Sequence, residues 1–135
     1  MNPVLIKRIS ILIHLATVDG EFAAPEKSFI EDICERNNLS QLEFDQLIQD
    51  PEPIGSLGAL GYEKIVEYMS DCLSLMIVDG KILQSEVILV EDIGLRLGFH
   101  KHAIDDVIEE LKRDFSSHNS NITKLVRSMS HSSKV

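Results

Sequence analysis

The sequence predicts an all-α protein, a compact bundle of about seven helices built as two pseudo-symmetric repeats. Three observations predict it. Apolar residues recur at helical spacing, Pro, Gly and capping residues mark where those stretches start and stop, and the chain resembles itself when shifted by 60 residues. Laying residues 9 to 48 over 69 to 108 without a gap gives twelve identities in forty positions. They are Ser10/Ser70, Leu15/Leu75, Val18/Val78, Asp19/Asp79, Gly20/Gly80, Glu26/Glu86, Glu31/Glu91, Asp32/Asp92, Ile33/Ile93, Arg36/Arg96, Asp45/Asp105 and Ile48/Ile108. Leu39/Phe99, Phe44/Ile104 and Leu47/Val107 keep apolar character, so chance is a poor explanation.

Taken in order, Asn2 is a cap and Pro3 suits the first turn of a helix that stays apolar on nearly every side through Val18, which predicts a central position. Asp19-Gly20 ends it, because Gly takes the left-handed conformation without a Cβ penalty. Pro25 at a first helical position opens a second helix to about Asn37, with Phe29, Ile30 and Ile33 on one face. Ser40-Gln41-Leu42-Glu43 reads as a capping box for a short third helix carrying Phe44, Leu47 and Ile48. Residues 50 to 61 hold two Pro and three Gly and read as the linker between the copies.

The second copy restates the first, with helices expected at about 62 to 78, 85 to 97 and 101 to 115, the last carrying Ile104, Val107, Ile108, Leu111 and Phe115. A final helix is expected at about 120 to 130, followed by a flexible end at about 131 to 135. Val87-Ile88-Leu89-Val90 alone could be a buried strand, but its counterpart Lys27-Ser28-Phe29-Ile30 lies in a Pro-initiated amphipathic stretch, so both are read as helix. Asp32 with Arg36 and Asp92 with Arg96 have i, i+4 spacing for surface pairs worth ~0.2–0.5 kcal/mol each.

The chain has 135 residues, enough for one self-sufficient core and too few for two, so residues 1 to 135 are read as a single domain. A net charge of -9 with scattered Lys and Arg argues against a nucleic-acid partner and fits cations or basic protein surfaces, or plain solubility. No stretch reads as a signal peptide or reaches the ~18 apolar residues of a membrane span, so the expected compartment is the cytoplasm, with no direct membrane insertion. Cys34 and Cys72 lie in helical patterns without CxxC or His spacing and read as buried thiols. His14, His100, His102, His118 and His131 lack HxxxH or HExxH spacing and are expected at the surface or at helix ends. With no phosphate loop, no GxSxG elbow and no local Cys/His signature, the chain reads as non-enzymatic.

The one candidate site is the doubled loop, Asp19-Gly20-Glu21-Phe22-Ala23-Ala24-Pro25-Glu26 and Asp79-Gly80-Lys81-Ile82-Leu83-Gln84-Ser85-Glu86. This spacing matches the second half of an EF-hand loop, but the first half supplies Leu15 and Thr17, or Leu75 and Ile77, where carboxylates are needed. Neither loop alone has enough oxygens. If the halves converge, Asp19, Glu26, Asp79 and Glu86 form a set that would repel unless a divalent cation (Ca, Mg, Mn or Zn) or a basic group joined them. The structural alternative is that Asp-Gly stops a helix, Phe22 or Ile82 plugs the loop into the core, and Glu26 or Glu86 favours a helix N-terminus.

Ala16-Thr17-Val18-Asp19-Gly20-Glu21-Phe22 with Glu26, and Met76-Ile77-Val78-Asp79-Gly80-Lys81-Ile82 with Glu86, resemble the TerB-like family, named for tellurite resistance and similar to the N-terminal region of a membrane-anchored co-chaperone. The resemblance covers most of residues 4 to 115. It implies a compact, all-helical fold in two pseudo-symmetric halves and a divalent cation held by Asp19, Glu26, Asp79 and Glu86. It also implies a place in a stress or metal-ion resistance complex, hence a protein partner, with a homodimer open.

Overall fold

In a computed structural model describing residues 2–113 and 122–129, the protein is all-helical, with seven helices and no strand among the described residues. They are α1 (Pro3–Ala16), α2 (Ala24–Arg36), α3 (Gln41–Gln49), α4 (Tyr62–Ile77), α5 (Gln84–Leu97), α6 (Lys101–Arg113) and α7 (Ile122–Arg127). The starts of α2 and α5, and of α3 and α6, are 60 residues apart, so the order of elements follows the sequence repeat. Phe115, His118, His131, the outer ends of the expected last helix and the expected flexible end at 131 to 135 lie outside the described residues.

Asn2 caps α1 by accepting the backbone N–H groups of Val4 and Leu5, and Pro3 stands in the first turn, where a missing N–H costs no hydrogen bond. α1 stops two residues earlier than its apolar run suggests. The Thr17 hydroxyl and N–H both bond the Ile13 carbonyl, and Val18 N–H turns back to Leu15, so the chain tightens before Gly20. α2 begins at Ala24 with Pro25 in its first turn, and α3 carries the full Ser40–Glu43 capping box. Asn38 and Gly98, at equivalent places, both take left-handed backbone (φ 62° and 101°). The following N–H groups of Leu39 and Phe99 then close onto Cys34 and Gly94 at 2.9 and 3.0 Å. The Val87–Val90 run is helical, as its counterpart requires.

The core lies between α1 and α4, which pack on each other. Ile9, Leu12, Leu15, Met69, Leu73 and Leu75 are fully enclosed, each contributing about 1.5–3 kcal/mol of transfer free energy. α1 also meets α2, α3 and α5, and α4 meets α5 and α7, so the central pair sees both halves of the chain. Cys34 and Cys72 are free and buried, and burial pushes both thiols up, Cys34 to about 11, which leaves them unreactive.

Two polar devices fix this arrangement. Arg8 on α1 grips Asp71 on α4 through two hydrogen bonds of 2.6 and 3.2 Å, with Glu67 3.6 Å away. Burial pushes Asp71 up while the guanidinium holds it down, and Tyr68 adds a hydroxyl donated to the Val4 carbonyl at 2.9 Å. The linker is latched onto the outward stripe Lys7, Ser10 and His14 of α1. Lys7 Nζ donates to the carbonyls of Pro53 and Ile54, Ser10 Oγ accepts the Glu52 N–H at 3.1 Å, and His14 Nε2 meets the Glu52 carbonyl at 2.7 Å. Ser70, the counterpart of Ser10, is buried and its hydroxyl has no partner among the described residues.

Candidate functional site

Each acidic loop is built the same way. Gly20 and Gly80 take left-handed backbone (φ 90° and 83°), and Asp19 and Asp79 each accept the N–H two residues on, from Glu21 at 3.1 Å and Lys81 at 3.2 Å. Phe22 and Ile82 are half-buried against the core, and after them α2 and α5 begin. Glu26 and Glu86 then fall in the first turns of those helices, where the partial positive charge of the helix start favours an acid. Each reaches back to a cap N–H, Glu26 to Ala23 and Glu86 Oε1 to Leu83 at 3.4 Å. This is half of a capping box in each copy, since neither Ala23 nor Leu83 has a side-chain acceptor.

The structure brings Glu26 and Glu86 together. They are only 3 and 2 % exposed, and their carboxyl groups share a side-chain hydrogen bond across the boundary between the two copies. Two carboxylates cannot make that contact without a proton or a cation between them. Burial, then Glu86 itself and Asp79, push Glu26 up to about 8. Burial also pushes Glu86 up, opposed by hydrogen bonds from Glu26 and the Leu83 N–H and helped by Asp79 and Asp19. Both carboxyls are pushed up and the two titrate as one pair, with a proton held between them. Glu26 Oε2 is shielded from solvent and receives no hydrogen bond from an ordinary donor.

Asp19 and Asp79 do not join the pair. Asp19 is exposed and Asp79 half-buried on their own turns, close enough to act through their charge. Among the described residues no group of three or more His, Cys, Asp or Glu side chains is gathered to hold a metal ion. Two of the four sequence candidates thus meet in the interior and two stand outside it. The donors assembled are all oxygen, which fits Ca, Mg or Mn better than Zn. The shielded Glu26 oxygen is where such an ion would replace the proton.

His100 and His102 are exposed and stack on each other with ring centroids 5.9 Å apart, and His14 serves the linker latch. The i, i+4 pairs form at the surface, Arg36–Asp32 at 3.6 Å and Arg96–Asp92 at 3.3 Å. Sequence reading missed the Arg8–Asp71 grip, because its members, 63 residues apart, are not repeat partners of each other. It also missed a cleft between α2 and α3 beside Glu31, whose one sequence signal is Gln41 standing where the second copy has Lys101. No helix among the described residues is long and apolar enough to cross a membrane. No family model, curated protein or solved structure matches this chain.

Proposed function

We propose that the chain is a non-enzymatic, TerB-like helical module that binds a divalent cation where its two acidic loops meet. Glu26 and Glu86 are the inner ligands, and Asp19 and Asp79 are drawn in from the loop turns as the outer ones. The observation that carries this reading is the contact between two buried glutamates contributed by different copies, with Glu26 Oε2 unsatisfied by any ordinary donor. Burying a carboxyl pair costs several kcal/mol unless it is compensated, and a core-facing leucine would avoid that cost. The cation would supply the charge that the pair otherwise takes from one shared proton. The TerB-like resemblance would place such a module in a stress or metal-ion resistance complex with a protein partner, as monomer or homodimer, in the cytoplasm.

Calorimetric titration with calcium, magnesium, manganese and zinc tests the proposal. Binding is expected for at least one oxygen-seeking ion, weakened by Asp19→Asn with Asp79→Asn and abolished by Glu26→Gln with Glu86→Gln. No heat from the parent protein with any of the four ions ends the cation reading.

A second reading is an interaction module whose loops are purely structural. The Asp19 and Asp79 turns favour it, since each aspartate already accepts its own loop N–H. So does the exposure of Val18 and Val78 beside the two loops. On this reading partners captured by the parent are captured unchanged by the Asp19→Asn, Asp79→Asn double variant.

A further inference from the structure

The two copies treat the seam between their second and third helices differently. In the second copy, a Cβ placed on Gly94 would stand 2.6 Å from Ile104 Cδ1 and 3.3 Å from Met69 Cε, so the bare glycine is what lets α6 lean into α5. The Lys101 ammonium pairs with Asp105 on its own helix at 2.8 Å and lies 3.8 Å from Glu91 across that closed seam. In the first copy the equivalent residues are Cys34 and Phe44, both buried, and the bulk they add accompanies an open cleft of about 330 Å³. Glu31, Cys34, Glu35, Leu39, Gln41 and Phe44 line it.

The acids are kept while the cation is not. Glu31 and Asp45 stand for Glu91 and Asp105, but Gln41 replaces Lys101. The Gln41 amide turns to Asp45 at 2.9 Å, as Lys101 turns to Asp105, and brings no charge. Among the described residues neither Glu31 nor Glu35 has a salt bridge. The same acidic position that lies 3.8 Å from an ammonium in one copy therefore faces an open cleft in the other.

We infer that the α2–α3 cleft is a receptor for the primary ammonium of a lysine side chain on a partner protein, taking the place that Lys101 fills across the α5–α6 seam. Glu31 and Glu35 receive the charge, and the edges of Leu39 and Phe44 receive the aliphatic stem, which lysine buries while its head stays wet. The net charge of -9 favours encounter with a basic surface. This inference stands apart from the cation reading, because it uses none of the loop acids.

The test is an amide NMR titration of the full chain with Nα-acetyl-lysine N-methylamide, with the norleucine derivative as uncharged control. The expected result is saturable shifts at Glu31, Glu35 and Gln41, with a weak Kd of ~10 mM or above, as suits an exposed charge pair. The control should leave those amides unmoved, and Glu31→Gln should weaken binding by up to roughly fivefold. Gln41→Lys supplies the ammonium from within and should abolish it, which keeps the test decisive if Glu31→Gln fails to fold. Shifts that do not saturate, or that survive Gln41→Lys, overturn the inference. Equal affinity for n-butylamine overturns the assignment to a protein-borne lysine and gives the cleft to free amines.

Discussion

Because Glu26 and Glu86 share one proton in the interior, raising the pH should destabilise this protein in a range where most acidic proteins are indifferent. Glu26 rises from 4.5 to about 8, so between those values the folded state holds a proton that the unfolded chain has lost. Stability is then fully present below about pH 4.5 and drains away as the pH climbs to 8, the reverse of an ordinary salt-bridged carboxylate. At 1.36 kcal/mol for each pH unit the Glu26 rise alone corresponds to a loss of about 5 kcal/mol. Sharing of the proton with Glu86 reduces it, so ~2–3 kcal/mol is the expected figure. That is a large part of the 5–15 kcal/mol typical of a domain. Urea unfolding from pH 5 to 8, in buffer containing a chelator, measures it directly. The control is Glu26→Gln, whose amide donates a hydrogen bond to Glu86 at every pH. It should flatten the profile and make the variant more stable than the parent at pH 8. A parent and variant whose difference stays constant from pH 5 to 8 would refute the shared proton.

Two further outcomes follow from the packing. Gly94→Ala drives a methyl group into Ile104 and should lower stability by ~1–3 kcal/mol in urea melts, while Cys34→Ala, at the equivalent place, leaves the α2–α3 cleft open. Ser10→Ala strips the Glu52 N–H of its acceptor and should cost ~1–2 kcal/mol, whereas Ser70→Ala removes a hydroxyl with no partner among the described residues and should be neutral or stabilising. Equal losses for the two serines would contradict the latch.

Helices and linker were legible because they rest on local rules. The Asn2 cap, the Ser40–Glu43 box and the left-handed glycines after Asp19 and Asp79 all sit where sequence places them. The repeat resolved the one local ambiguity, at Val87 to Val90. The Glu26 and Glu86 positions were legible as candidates, but their meeting was not, since it depends on how α2 and α5 are set around the central helices. Asp19 and Asp79 carry the same sequence signal, and nothing in the spacing says that their carboxylates are taken by their own turns. The open cleft escaped notice because it arises from differences between the copies, Cys34 for Gly94 and Gln41 for Lys101, whereas a repeat directs attention to what is shared.

The linker latch has a consequence for how the chain is made. The outward stripe of α1 is closed only when residues 52 to 54 arrive, 38 to 47 positions later, and its grip on α4 waits for Asp71. During synthesis the first copy would therefore emerge with its most apolar helix unsheathed, and contacts of such separation form slowly. What looks like a mere spacer between the two copies is thus a closing piece of the first of them. A ribosome that paused before residue 54 would be holding an unfinished protein, however complete its first three helices were.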